Sequence, residues 1–136
     1  ASFARRLDGR MVPTVELARE GAPLLPGMVY LAPGGDYHLA VTPTDQPRCK
    51  LVATDKRNGH RPSVEVLFES AVPIAQKVVS VMLTGMGRDG AEAMKHLRQA
   101  GARCLAQDEA TCVVFGMPRA ALEIGAAEKP VPVFTD

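Results

Sequence analysis

The second half of the chain alternates between short runs that contain apolar residues and segments with helical periodicity. The runs have the length of strands and lie at residues 77–84, 102–107 and 131–134. Apolar residues spaced three and four apart predict helices that start at Pro62, Ala91 and Pro118. The first run is almost unbroken, which is typical of a parallel strand covered on both faces. Strands that alternate with helices at this spacing predict a parallel sheet.

The first half contains shorter segments separated by proline and glycine. Alternating polarity over residues 14–18 predicts a strand, and residues 49–54 predict another. A Pro-Gly-Gly turn at 33–35 separates apolar segments at 28–32 and 37–42, which we expect to pair as an antiparallel hairpin. The predicted fold is therefore α/β: a doubly wound, mostly parallel sheet with helices on both faces and an appended antiparallel β-hairpin.

Length and composition fit one globular domain. The chain has 136 residues, of which 46% are hydrophobic and 23% charged, and this balance excludes disorder as the main state. A net charge of +1 argues against nucleic acid or an anionic membrane as a partner. No apolar run approaches the length that crosses a bilayer, so no membrane insertion is expected. The cysteines lack the spacing of a metal site, and we expect buried, reduced thiols at Cys104 and Cys112.

A glycine-rich turn over residues 84–90 follows the strongest predicted strand. In open parallel sheets, ligands bind at the carboxyl ends of the strands. One interpretation of the turn is purely structural. Asp89 would accept a hydrogen bond from the first turn of the next helix, and Glu92 would complete a capping box. The glycines would then serve only to allow the tight turn.

A second interpretation is a nucleotide site. The turn matches the dinucleotide-binding pattern G-x-G-x-x-G at Gly85, Gly87 and Gly90. Asp108 or Glu109 follows at roughly the distance expected for an acid that binds the ribose. That motif normally opens a domain, however, and only two predicted strands follow it in this chain.

A third interpretation makes Asp89 the acid of a hydrolase triad. A carboxylate bonded to one ring nitrogen of a histidine fixes its tautomer and stabilises the imidazolium that forms. His60 and Ser63 lie close together at a predicted helix start and could complete an internal triad. A serine in the first turn of a helix is more often a cap, and the chain has no nucleophile elbow of the form G-x-S-x-G.

Four long motifs occur in order along the chain: VYLAPGG at 29–35, NGHRPSVEVLF at 58–68, VMLTGMGRDG at 81–90 and AQDEATCVVFGMPR at 106–119. Together they resemble the catalytic domain of the CheB-type protein-glutamate methylesterases of bacterial chemotaxis. The resemblance covers essentially the whole chain and is far more specific than the glycine pattern. It therefore outweighs the nucleotide interpretation.

The resemblance implies an α/β hydrolase that demethylates methyl-glutamate side chains on chemoreceptors and deamidates certain receptor glutamines. Its Ser-His-Asp triad takes the aspartate from a G-M-G-x-D-G motif, which makes Asp89 the expected catalytic residue. The backbone N–H groups of Met86 or Gly87 are the expected oxyanion donors. His60 is a candidate for the wall of the same cleft. The resemblance implies no metal and no organic cofactor.

The family's nucleophile motif, G-A-S-T-G-G, and its histidine motif, Q-H-M, do not occur in this sequence. We therefore expect residues 1–136 to be a single domain, an N-terminally truncated methylesterase catalytic domain that is inactive alone. The implied partners are methyl-accepting chemoreceptors and a phosphorylated receiver domain upstream in the full-length protein. The implied location is the cytoplasm. The alternative function is an inactive fragment or docking module.

Overall fold

The computed structural model describes residues 2–9 and 13–134. The helices are α1 (Ser2–Asp8), α2 (Val64–Ala71), α3 (Ala91–Gln99) and α4 (Met117–Glu123). The strands are β1 (Thr14–Leu17), β2 (Met28–Leu31), β3 (His38–Val41), β4 (Cys49–Val52), β5 (Val79–Met82), β6 (Arg103–Gln107) and β7 (Lys129–Val131). Short 3₁₀ segments lie at Val72–Lys77 and Glu109–Thr111.

The predicted α/β fold is confirmed, because helices alternate with parallel strands through the second half. Strands β5, β6 and β7 form a parallel sheet in that order, with Val79 opposite Arg103 and Leu105 opposite Lys129. Helix α3 connects β5 to β6, and α4 lies between β6 and β7 in the chain. The carboxyl ends of β5 and β6 therefore lie side by side, and the glycine-rich turn leaves from this edge.

The pairing predicted for the first half is wrong. Strand β2 pairs in parallel with β1, whereas the antiparallel hairpin consists of β3 and β4. The chain crosses over between β1 and β2 and returns in the same direction, and the bond from Ala18 N–H to the Leu31 carbonyl extends this parallel pair. The loop between β3 and β4 is closed by a bond from Thr42 N–H to the Arg48 carbonyl.

Two element boundaries also differ from the prediction. Helix α2 begins at Val64 and not at Pro62, because the side chain of Ser63 caps it. The last strand, β7, covers Lys129–Val131, whereas the sequence predicted a strand over 131–134. Pro132 follows this strand, and proline has no N–H to continue a ladder of backbone hydrogen bonds.

The main core lies between the β5–β7 sheet and helices α2, α3 and α4. Its largest fully buried side chains include Met82 on β5 and Met94 and Leu97 on α3. Met94 and Leu97 are among the apolar residues whose three- and four-residue spacing predicted this helix. Many of the remaining core positions are alanines, which let the helices approach the sheet closely.

Strand β5 is buried on one face only, contrary to the prediction. Ser80 and Met82 point into the core, whereas Val79, Val81 and the following Leu83 are 64%, 42% and 52% exposed. Within residues 2–9 and 13–134, no strand pairs with the outer edge of β5 and no helix covers its second face.

The cysteines are free thiols. Cys49 and Cys104 are buried, and burial raises the pKa of each thiol. The prediction of a buried thiol is confirmed for Cys104, but Cys112 is only half-buried because it lies in a surface loop after the Glu109–Thr111 segment. No helix in the described part of the chain has the length and hydropathy to cross a membrane.

Candidate active site

The glycine-rich turn contacts α2 directly at Gly90. Both Gly87 and Gly90 have φ of 90°, in the left-handed region that favours glycine. A Cβ atom on Gly90 would lie 2.5 Å from Cγ1 of Val64. The turn can therefore approach the start of α2 only because this position has no side chain, and the approach brings the neighbouring Asp89 to the same helix end.

A second loop supports the turn from the other side. The carbonyl of Gly85 accepts hydrogen bonds from the N–H groups of Gly116 and Met117, at 3.1 and 2.8 Å. Gly85 N–H in turn donates to the carbonyl of Val114 at 3.0 Å. A Cβ on Gly116 would lie 2.6 Å from the Gly85 oxygen. The backbone of the turn is thus fixed between this loop and α2.

The carboxylate of Asp89 is the centre of the site. Asp89 is 4% exposed and accepts three hydrogen bonds. Its Oδ1 accepts from Ser63 Oγ at 2.8 Å and from Asn58 Nδ2 at 3.1 Å, and its Oδ2 accepts from Val64 N–H at 2.7 Å. An ionised carboxylate offers about four acceptor sites. One acceptor direction therefore remains, on Oδ2, for a further donor such as an imidazole N–H.

The N-terminus of α2 stabilises negative charge on Asp89. The partial positive charge of a helix start favours an adjacent anion, and Val64 N–H is one of the first-turn donors that lack a partner within the helix. Ser63 connects Asp89 to the N-terminus of α2. Its Oγ caps the helix by accepting a hydrogen bond from Glu65 N–H at 3.1 Å, and its hydroxyl donates a hydrogen bond to Asp89.

A buried histidine holds Ser63 in place. His38 on β3 has no exposed surface, and its Nδ1 accepts the backbone N–H of Ser63 at 3.1 Å. Its Nε2 lies 2.7 Å from the carbonyl oxygen of Asp55, which can only accept. These partners assign His38 as the neutral tautomer with the proton on Nε2. His38 is therefore a structural residue.

The capping interpretation of Asp89 is wrong. The residue that caps α3 is Gly90, and no side chain hydrogen-bonds to the start of this helix. Glu92 is exposed. The reason is geometric: Asp89 precedes the cap position, and its carboxylate is turned away from α3 towards the start of α2.

The internal triad of His60, Ser63 and Asp89 is not formed. The Ser63 hydroxyl donates directly to Asp89, with no imidazole between them. His60 is exposed, and its backbone pairs with that of Arg57 in a tight turn. The turn is joined to Asp89 through Asn58, so His60 lies on a segment attached to the site.

The two residues that carry the expected oxyanion donors are exposed. Met86 is 81% exposed, and Gly87 is exposed as well. Among the residues that the structure describes, the backbone N–H groups of Met86 and Gly87 donate to no acceptor. Neither N–H group is therefore committed to an acceptor within the described part of the chain.

Asp108, one of the two acids of the nucleotide interpretation, is used internally. Its Oδ1 accepts from the N–H and the hydroxyl of Thr111, at 3.0 and 2.6 Å, and so caps the short 3₁₀ segment. The described residues also contain no cluster of three or more histidine, cysteine or acidic side chains that could hold a metal ion.

Comparison with known proteins identifies the family. The CheB methylesterase family model matches residues 1–134. The chain belongs to the CheB methylesterase family. It is 57% identical over 132 residues to protein-glutamate methylesterase/protein-glutamine glutaminase 1 of Caulobacter vibrioides. It is 52% identical over 133 residues to the protein-glutamate methylesterase/protein-glutamine glutaminase of Agrobacterium fabrum.

The fold matches a solved member of the family. The crystal structure of the Thermotoga maritima CheB methylesterase catalytic domain superposes with a TM-score of 0.91 at 39% sequence identity. The match covers 96% of this chain and 70% of the Thermotoga chain. The curated relatives are longer still: the Caulobacter match covers 96% of this chain and 38% of the relative, and the Agrobacterium match covers 97% and 38%.

Sequence reasoning identified Asp89 but missed the groups that hold it. Asn58 and Ser63 lie within a motif that pointed to the family, but Asn58 was not singled out and Ser63 was joined to Asp89 only as the nucleophile of the internal triad. The one usable signal was the Asn-Gly pair at 58–59, which is typical of a tight two-residue turn. The backbone N–H of Val64 carries no signal in the sequence.

Proposed function

We propose that this chain supplies the aspartate of a Ser-His-Asp protein-glutamate methylesterase that acts on chemoreceptors. The observation that carries the proposal is the environment of Asp89: a buried carboxylate beside the carboxyl end of a parallel strand, held by three donors and left with one open acceptor direction. A triad acid needs this arrangement, because its remaining oxygen direction must receive the histidine N–H.

The reaction follows from these roles. The serine oxygen attacks the γ-carbonyl carbon of a methyl-glutamate, and the histidine takes the serine proton and returns it to the departing methanol. Water then hydrolyses the acyl-enzyme and releases the glutamate. With a glutamine substrate the leaving group is ammonia in place of methanol. Neither step needs a metal or an organic cofactor.

Asp89 and the turn before it act at two points in this reaction. Asp89 orients the histidine and stabilises the imidazolium form, in which the histidine carries the serine proton. The free N–H groups of Met86 and Gly87 are the donors for the negative oxygen of the tetrahedral intermediate. Removing one such donor in a serine protease lowers turnover by about 10²–10³-fold.

The serine and the histidine are supplied by the G-A-S-T-G-G and Q-H-M motifs of the family, which this chain does not contain. The chain alone is therefore inactive, and the active unit is a longer cytoplasmic protein. Its partners are the helical cytoplasmic region of methyl-accepting chemoreceptors and a phosphorylated receiver domain. His60 forms part of the wall of the cleft.

A hybrid enzyme tests the proposal. In it, this chain replaces the matching 132-residue region of the Caulobacter relative, which is 57% identical. The hybrid should release methanol from methylated chemoreceptor. Asp89→Asn should lower its turnover at least about 10²-fold. The same change of the triad aspartate in a serine protease lowers turnover roughly 10⁴-fold, so this limit is conservative. Glu128→Gln is the matched control, because Glu128 is a hydrogen-bonded carboxylate at the opposite end of β6.

Three outcomes would count against the proposal. An inactive hybrid that binds methylated receptor would favour a docking module. An Asp89→Asn hybrid that keeps most of its turnover with saturating substrate would remove Asp89 from the triad. Methanol release by the 136-residue chain alone, abolished by Ser63→Ala, would show that the nucleophile lies within this chain.

A further inference from the structure

Asn58 is the only asparagine of the chain, and it lies in a tight turn beside the site. Arg57 and His60 exchange two backbone hydrogen bonds of 2.9 Å across this turn. The two residues between them, Asn58 and Gly59, have φ of 55° and 79°. Positive φ at both central residues is the geometry of a type I′ turn, in which Asn-Gly is the preferred pair.

The side-chain amide of Asn58 faces Asp89 with its nitrogen. Nδ2 lies 3.1 Å from Oδ1 of Asp89. An ionised carboxylate can only accept, so the nitrogen and not the oxygen of the amide must face it. Ser63 donates to the same oxygen at 2.8 Å. Asn58 and Ser63 together therefore occupy both acceptor directions of Oδ1.

The turn that carries Asn58 is tied to the rest of the fold. Arg61 follows it, and its Nε donates to the carbonyl of Gly35 at 2.9 Å while its Nη1 donates to the carbonyl of Thr54 at 3.3 Å. Arg61 also pairs with Asp36 at 3.6 Å. Asn58 itself is exposed, so its amide contributes little to the core.

We propose that Asn58 is a positioning residue for the methylesterase reaction, an inference that rests on the function proposed above. Its amide fills Oδ1 of Asp89 and leaves Oδ2 as the oxygen that binds the catalytic histidine. Without the amide, Oδ1 has an open direction of its own, and the histidine can bind the carboxylate in a second, unproductive orientation. The loss falls on turnover, because misplacement of a catalytic group costs rate and not substrate affinity.

Four substitutions in the hybrid enzyme separate this role from a role in turn geometry. Asn58→Gly keeps the positive φ and removes the amide, and we expect kcat to fall about 10-fold with KM unchanged. Asn58→Ala removes the amide and strains the turn, and we expect a similar kcat with lower thermal stability. Arg103→Gln is the control, because Arg103 donates to the Glu128 carboxylate at the opposite end of the sheet, and its kcat should not change.

Asn58→Asp changes the pH dependence of kcat, which would stay the same if Asn58 served only the geometry of the turn. Aspartate also tolerates positive φ, but it brings a second carboxylate next to Asp89. The added negative charge stabilises the imidazolium and raises the pKa of the catalytic histidine. The histidine must be neutral to accept the serine proton, so the acidic limb of the kcat profile should move to higher pH.

Each result decides the inference. An inactive unsubstituted hybrid would refute the proposed function, and the role of Asn58 with it. With an active hybrid, full kcat for Asn58→Gly would show that asparagine serves only the turn. An Asn58→Asp profile without a shift would show that position 58 does not influence the histidine. Loss confined to KM would assign Asn58 to substrate binding.

Discussion

Asp89 depends on groups that are distant from it in the sequence. Its three donors lie 25, 26 and 31 positions away, on the start of α2 and in the turn before it. The motif around Asp89 was sufficient to single out this residue as the candidate triad acid. Local spacing could not predict the donors, because their approach requires α2 to pack against the end of β5. The predicted helix cap failed for the same reason.

The network changes what Asp89→Asn should do to stability. If Asp89 were only a helix cap, asparagine would replace it at little cost. In the structure one of the two carboxylate oxygens would become an NH₂ group, which leaves either the Ser63 hydroxyl or the Val64 N–H without its acceptor. We expect a loss of about 1–3 kcal/mol in the free energy of unfolding.

Urea unfolding of the hybrid checks this loss against the kinetic effect. No loss of stability in Asp89→Asn would mean that Asp89 is not buried among these donors.

At the scale of elements, Gly90 sets the contact between the turn and α2. Gly90→Ala must adopt a positive φ and also place a Cβ atom 2.5 Å from Val64 Cγ1. The backbone strain costs about 1–2 kcal/mol and the overpacking about 1–3 kcal/mol. The substitution should therefore lower the free energy of unfolding by several kcal/mol and displace Asp89 from the helix start.

Gly87→Ala is the matched control for this effect. Gly87 has the same φ of 90°, but a Cβ atom there would have no neighbour within 4 Å. It should cost only the strain of about 1–2 kcal/mol. Thermal unfolding of the two hybrids measures the difference, and equal losses would contradict the close contact between Gly90 and Val64.

Glu128 stabilises the connection between α4 and β7 in a pH-dependent way. The backbone N–H of Cys104 and the side chain of Arg103 hold its pKa below the ordinary value for glutamate. A lowered pKa in the folded state means that the contribution to stability is complete above the ordinary pKa. It is lost as the pH falls towards the lower pKa of the folded state.

Glu128→Gln should therefore reduce the difference between the free energies of unfolding at neutral and at acidic pH. Denaturant unfolding at pH 7 and near pH 3 measures it, with Glu123→Gln as the control, because Glu123 forms only an exposed pair with Arg119. An unchanged pH dependence in Glu128→Gln would show that other carboxylates account for the acid sensitivity.

The type and order of the helices and later strands followed from local patterns, whereas strand pairing in the first half did not. Helices α2 and α3 have apolar residues at helical spacing, and β5 lies in an almost unbroken apolar run. The pairing of β2 with β1 is decided by the crossover between them, which no local pattern reports. The Pro-Gly-Gly segment at 33–35 favoured a hairpin, but it connects β2 and β3, which belong to different sheets.

At the scale of the whole molecule, the described residues leave apolar surface on β5 in contact with solvent. Val79, Val81 and Leu83 are exposed on one face, and the outer edge of the strand has no partner strand among the residues described. Such an edge can pair with another chain, and an exposed apolar face promotes association. The almost unbroken apolar run predicted a β5 strand buried on both faces. In the described residues only one face of β5 is buried, and the exposed apolar side chains on the other face account for the difference.

We therefore expect the purified 136-residue chain to be marginally stable and to aggregate. Val81→Lys should reduce aggregation without lowering stability, because the side chain is exposed and lysine on an edge strand opposes pairing. Met82→Ala is the matched control, because Met82 points into the core and its truncation typically costs about 2–5 kcal/mol. Analytical ultracentrifugation and thermal unfolding follow both effects. A monomeric, cooperative transition above about 60 °C, the upper part of the usual mesophile range, would show that this face needs no cover.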